Sequence, residues 1–190
     1  YIEENAESFI KKYKSFCLIL VGFSLLMVFH NTTSTYMLQI LERVGGSNPE
    51  LGTTFAIAAV FEIPIMFGFS FIIAKFKSHS LLKVAAIFFI FKGLIYFFTG
   101  SVAGIYFAQT LQVFSFALFA SASVYYAKEK MSPKDMVKGQ TLAASTITIG
   151  SVIGNLSGGL IVKNLGSQAN VIYGLIVLII AALIIFIVKD

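Results

Sequence analysis

Residues 51–75 read LGTTFAIAAVFEIPIMFGFSFIIAK, an almost unbroken apolar stretch with one acid, Glu62, near its middle. At ~1.5 Å of rise per residue, a helix of this length crosses the ~30 Å hydrocarbon core of a bilayer. Holding a carboxylate at that depth costs a few kcal/mol, from ~2.5 to over ~10. Such a group either faces a bundle interior or wet cavity and marks a pathway, or is merely neutralised by a neighbour. Pro64 follows two residues on and has no N–H to give the carbonyl of Val60, which predicts a free acceptor and a kink beside the carboxylate.

The rest of the chain matches this stretch. Hydrophobic residues make up 57% of the 190 and charged residues 12%, about half the ~25% usual for a soluble domain. Mean hydropathy is positive. This is the composition of an all-α, polytopic membrane protein. Cutting at the polar clusters leaves six apolar segments, roughly 15–41, 51–75, 81–99, 102–127, 139–162 and 169–188, each long enough to span as a helix. Residues 1–14, YIEENAESFIKKYK, read as a cytoplasmic linker or amphipathic segment and not as a cleavable signal; residues 15–190 form the six-helix transmembrane domain.

If the spans alternate, all but three of the 14 basic residues fall on one side, the exceptions being Arg43, Lys163 and the intramembrane Lys92. The positive-inside rule then places both termini in the cytoplasm of a multi-pass protein of the plasma, or inner, membrane. The net charge of +5 reports topology and attraction to anionic lipid, not nucleic acid. Cys17 is the sole cysteine and reads as a small apolar helix residue.

Polar residues inside the spans supply the site candidates. The first span turns polar at His30, Asn31, Thr32, Thr33, Ser34, Thr35 and Tyr36, a run that either lines a solute cavity or joins helices. Ser47-Asn48-Pro49-Glu50 is a helix start, with a capping residue, a first-turn proline and a reaching glutamate. His79 falls in the short basic link KFKSHSLLK and is expected to be solvated. Lys92, in the third span, lies ~10 Å from the outer end against ~16 Å for Glu62, so it either pairs with Glu62 or snorkels outward. Gln109, Gln112 and Ser115 recur at steps of three along one expected stripe of the fourth span. In the fifth, Gly150, Gly154 and Gly158 recur every four residues as a strip for close helix contact, and Asn155 adds a polar atom.

Spans one, two, four and five thus carry polar groups, while three and six are nearly pure apolar and are expected on the periphery. Polar-polar-apolar occurs twice, the order of two three-helix repeats of inverted topology. Glu62, His30, Gln109, Gln112 and Asn155 are accordingly expected on one concave surface. No metal-ligand spacing, nucleophile–base pair or phosphate loop is present, so the reading is no enzyme, no metal and no cofactor.

Taken together, LERVGGSNPELG, FEIPIMF, the basic link, the intramembrane base of span three, QTLQVFSFALFASA and GQTLAASTITIGSVIGNLSGGLI resemble the C-terminal six helices of major facilitator superfamily transporters. The likeness is to the lactose-permease-like and phenylpropionate-permease-like branch of solute:proton symporters, and it covers essentially the whole chain. It implies a secondary transporter half that moves a small polar or amphipathic solute by alternating access, coupled to protons, with a second six-helix half as partner in the bilayer. It further implies that Glu62 stands where these carriers keep a substrate- and proton-binding glutamate, with Lys92 as its basic partner. Gln109, Gln112 and Ser115 depart from the family's titratable Lys-x-x-His-x-x-Glu, so coupling falls back on Glu62, with His30, or on the other half. Asn31 and Ser34 join them as solute-cavity candidates. The polar faces suit sugars, nucleosides and drugs alike, in import or efflux. The alternative is a non-transporting membrane scaffold or sensor, which has no use for polar faces on four spans.

Overall fold

The computed structural model describes residues 6–188, and all the regular structure there is helical. Helix α1 covers Ala6–Lys12, α2 Lys14–Thr35, α3 Met37–Glu42, α4 Asn48–Ile73, α5 Ser78–Phe98, α6 Val102–Thr110, α7 Phe116–Lys130 and α8 Met136–Ile187, with a 3₁₀ turn at Leu111–Val113 between α6 and α7. Five of these stretches are long and apolar enough to cross a membrane: α2, α4, α5, the run Val102–Lys130 and α8. The expected linker at 1–14 lies partly outside the described residues; its described part is α1 and the start of α2.

The spans expected at 139–162 and 169–188 appear as the single element α8, but it is not one straight rod. Its 52 residues would reach ~78 Å, far beyond a ~30 Å hydrocarbon core. Gly166 interrupts it at φ 83° and ψ 172°, a left-handed region that a residue with a Cβ rarely enters. The two arms then run along α2 in opposite directions. On the first arm, Gly150 faces Ser24 and Met27, Gly154 faces Val28, and Gly158 faces Thr32 and Tyr36. On the second, Gly174 meets Phe29 while Ala181 and Ile185 meet Gly22. Helix α2 therefore lies between both arms, and its buried residues Ile19, Phe23, Leu26, Met27 and Phe29 form the centre of the core.

Several expected placements need correction. The first span is interrupted at Tyr36: α2 ends at Thr35 and α3 resumes at Met37. Helix α4 runs on through Pro64 to Ile73, as the expected span does. The α4 start does form as read, with the Ser47 N–H donating to Glu50 Oε2 at 2.9 Å and the Ser47 hydroxyl to the same oxygen at 2.5 Å. His79 is buried, not solvated: α5 already begins at Ser78, whose hydroxyl bonds Glu129 of α7, and the His79 ring packs 3.0 Å from the Ile185 carbonyl and beside Tyr126. The apolar third and sixth spans are not simply peripheral. Helix α5 buries Lys92, Gly93 and Tyr96, and the second arm of α8 buries Asn170, Val171, Gly174 and Leu178. Helix α4 is the least buried of the five, leaving Met66, Phe67 and Phe71 exposed.

At the end of the bundle where α1 meets the α7–α8 link, Asp135 gathers three donors. Its Oδ2 accepts from Lys12 Nζ at 2.7 Å, Tyr13 Oη at 2.6 Å and Ser132 Oγ at 3.0 Å. The Lys12 ammonium, then the Tyr13 and Ser132 hydroxyls, hold this carboxyl far below the usual carboxylate range, and Asp135 in turn raises Lys12.

Candidate functional site

The three intramembrane residues Lys92, Gln112 and Glu62, from α5, the 3₁₀ turn and α4, form one hydrogen-bonded chain. The Lys92 ammonium donates to Gln112 Oε1, and Gln112 Nε2 donates to Glu62 Oε1 at 2.8 Å. Only one orientation of the amide serves both neighbours, because an ammonium only donates and a carboxylate only accepts. Lys92 is 3% exposed and Gln112 4%, so the lysine faces inward and does not snorkel. Its aliphatic stem also brings the charge within 5.8 Å of the Tyr96 ring, one turn along α5. Two opposite charges bridged by a dipole cost far less inside a membrane than either alone.

The local backbone places Gln112. A continuous α-helix would carry Gln109, Gln112 and Ser115 along one stripe, but the Leu111–Val113 turn is wound as 3₁₀ and breaks that register. Gln109 instead donates to Tyr96 Oη at 2.8 Å, and the Ser115 hydroxyl returns to the Leu111 carbonyl at 2.8 Å. All three are buried, yet each has a different partner.

Glu62 is half-buried and opens on a cavity of about 270 Å³ between α4 and α7. Met66 lines it from α4, and Phe116, Ala117, Ala120 and Ser121 from α7. His30 is not part of this wall. It stacks on Phe116 with ring centroids 4.3 Å apart and planes 7° apart, and meets the edge of Phe89 at 6.0 Å, one layer behind the cavity. The arrangement offers a solute one carboxylate, one hydroxyl and an aromatic face.

Other candidates lie elsewhere. Asn155 belongs to the seam between α2 and the first arm of α8, where its Oδ1 accepts from Thr35 Oγ1 at 2.7 Å and its carbonyl from Tyr36 Oη at 2.7 Å. Asn31 donates to the Met27 carbonyl at 2.9 Å, while Ser34 is half-exposed. Of the five residues expected on one concave surface, Glu62 and Gln112 meet directly, while His30, Gln109 and Asn155 have other partners. Lys92, Gln112 and Glu62 converge, His30 stands behind them, and Thr32, Thr35 and Tyr36 at the polar end of the first span bond to α8. Asn170, which the apolar reading of the last span passed over, closes that seam: Thr32 Oγ1 donates to Asn170 Oδ1 at 2.7 Å and Asn170 Nδ2 to the Thr32 carbonyl at 3.1 Å, with both side chains fully buried. Tyr96 was also missed, although its position four residues after Lys92 puts it on the same helix face. Among the described residues no group of three or more His, Cys, Asp or Glu could hold a metal ion.

The family model described as MFS_1 like family matches residues 3–173. No curated protein matches the chain. A multi-pass helical chain with a charged, hydrogen-bonded path opening on a cavity, matched over nearly its whole length, belongs to the MFS_1 like family, a family of transporters.

Proposed function

We propose that the protein is one half of a secondary transporter of the lactose-permease-like and phenylpropionate-permease-like kind, moving a small polar or amphipathic solute by alternating access with coupling to protons. In this reading the chain crosses the membrane six times as two inverted three-helix repeats, with both termini cytoplasmic in the plasma membrane, and works with a second six-helix half. The reversal of α8 at Gly166 supports six crossings.

The observation that carries the reading is the chain Lys92–Gln112–Glu62 ending on the 270 Å³ cavity. Gln112 holds one oxygen of Glu62, and Oε2 is the atom that meets a solute donor or a proton. Protonating Glu62 removes the negative end of the network, so the network energy differs between loaded and unloaded states, as coupling requires. Glutamine does not titrate in the usable range and acts as a fixed dipole while Glu62 carries the proton.

Membrane vesicles from cells expressing the protein test this. A solute panel is screened for uptake or efflux with and without an imposed pH gradient, then repeated with Glu62→Gln. The expected result is loss of gradient-driven movement in the variant with some solute binding retained. Unchanged gradient-driven transport makes Glu62 a structural acid and removes the coupling role from this network.

A further inference from the structure

The cavity at Glu62 owes its room to the small residues of α7. Helices α4 and α7 run side by side in the same direction, since Glu62 meets Gln112 just before α7 while Phe69, two turns on, meets Tyr125. Glu62 and Met66, Phe116 and Ala120, and Ala117 and Ser121 are each four residues apart, so each pair shares a helix face ~6 Å apart along the axis. Two alanines and a serine fill little of the space between them, which leaves the 270 Å³.

The wall narrows the chemistry of what fits. Only two of its six side chains are polar, Glu62 and Ser121. A sugar would bring many hydroxyls to a wall that answers two of them, and each buried hydroxyl left over weakens binding. An anion would meet the Glu62 carboxylate, with Lys92 out of reach behind Gln112. A divalent metal ion would lack the roughly six oxygen ligands it takes. An organic cation fits: an N–H donates to Glu62 Oε2, the oxygen that Gln112 does not hold, and an apolar body lies against Met66, Ala117 and Ala120. His30 covers one face of the Phe116 ring, and the rest of the ring meets the cation.

Charge sets the valence. With Glu62 protonated, the network carries the single positive charge of Lys92; with Glu62 ionised and one ammonium bound, the sum is again a single positive charge. A monocation thus replaces a proton without adding charge to the membrane interior, as a dication would. On the elements packed against α4, the titratable groups are Glu42 of α3, Tyr106 of α6 and, on α7, Tyr125 and Tyr126 with the charged residues 128–130; none is among the described lining residues. Lys92 through Gln112, and His30 behind Phe116, are the groups that bear on Glu62.

We infer that the solute is a monocationic, amphipathic amine that exchanges with a proton at Glu62 Oε2, an inference that rests on Glu62 being the coupling acid. In the exchange the Glu62 O–H bond breaks, the proton leaves to water on the open side, and an N–H of the ammonium becomes the donor to the carboxylate, the amine keeping its own protons. The purified full-length protein in detergent is titrated with phenethylamine, its uncharged analogue phenethyl alcohol, phenylpropionate and methyl galactoside at about pH 4–8. An alkylammonium, like lysine at ~10.4, stays protonated over this range, so any pH dependence belongs to the protein. The amine is expected to bind about 10- to 150-fold tighter than the alcohol, the range for a hydrogen bond to a charged group. Its binding should weaken as pH falls, by up to about tenfold per unit, with one proton released per amine bound. Glu62→Gln is expected to remove both the preference and the pH dependence, and Phe116→Leu to weaken the amine about 2- to 30-fold with less effect on the alcohol. Circular dichroism checks that each variant keeps its helices, and the ranking in the parent needs no variant. Amine bound no tighter than the alcohol, phenylpropionate or galactoside bound tighter than the amine, or amine binding indifferent to pH would each overturn the inference; the transporter reading then survives if Glu62→Gln still abolishes gradient-driven movement. Glu62-dependent amine binding by a protein that moves no solute in vesicles would instead strike the transporter reading and leave the amine site.

Discussion

Glycine-to-alanine changes at Gly154 and Gly68 are expected to shift stability in opposite directions, although the covalent change is identical. A Cβ at Gly154 would lie 2.7 Å from the Val28 carbonyl oxygen, 3.2 Å from the Thr32 amide nitrogen and 3.3 Å from Asn31 Cβ. Two of these are backbone atoms of α2, so no rotamer change relieves the contact and the helices must separate. Overpacking of this kind costs ~1–3 kcal/mol, and the separation also loosens the Thr35–Asn155 bond on the same seam. At Gly68, within α4, an added Cβ meets nothing within 4 Å. There the change only removes backbone freedom, which stabilises a helix interior by ~0.5–1 kcal/mol. The chain has no Trp, so the assay is unfolding in mixed detergent followed by far-ultraviolet circular dichroism, with the gap between variants expected to be ~1.5–4 kcal/mol. Gly154→Ala as stable as the parent, or Gly68→Ala less stable than Gly154→Ala, refutes the reasoning that α2 and the first arm of α8 meet backbone to backbone at this strip. Gly154→Leu is the harsher form and is expected to prevent assembly of the bundle.

Gln112→Leu leaves the Lys92 ammonium buried without its acceptor and is expected to cost ~1.5–3 kcal/mol, the range for a hydrogen bond to a charged group. Adding Lys92→Met to it should recover much of the loss; an additive double variant would show that the two side chains do not act as a unit. The Asp135 clasp carries a pH signature. Its carboxyl is depressed in the folded chain, so its contribution is fully present above the ordinary carboxylate range and is lost progressively as pH falls from that range through the depressed folded value. Lys12 is raised, so its share persists until strongly alkaline pH. The parent should therefore melt at one temperature across about pH 5–8, with Asp135→Asn lower throughout that window; coincident curves at neutral pH would mean that the clasp does not hold α1 to the α7–α8 link.

The membrane class of the protein and the existence of the long apolar helices are legible in the residues alone, and Glu62 and Lys92 stand out there because the bilayer makes each intramembrane charge expensive. The α4 start was legible for a similar reason: Ser47, Pro49 and Glu50 act within four residues of one another. What could not be read is which side chain answers which. A step of three along residues 109–115 predicts one stripe, but a single 3₁₀ turn gives Gln109 to Tyr96 and Gln112 to Lys92 and Glu62, and that turn packs against α4 and α5. The polar run of α2 likewise left cavity and helix joint open, and only the position of Asn155 and Asn170 on the two arms of α8 makes Thr32, Thr35 and Tyr36 part of a joint. Composition and periodicity report what a segment must bury, whereas the partner it buries against lies elsewhere in the chain, 50 residues away for Gln112 and Glu62 and 138 for Thr32 and Asn170, and only folding brings such pairs together.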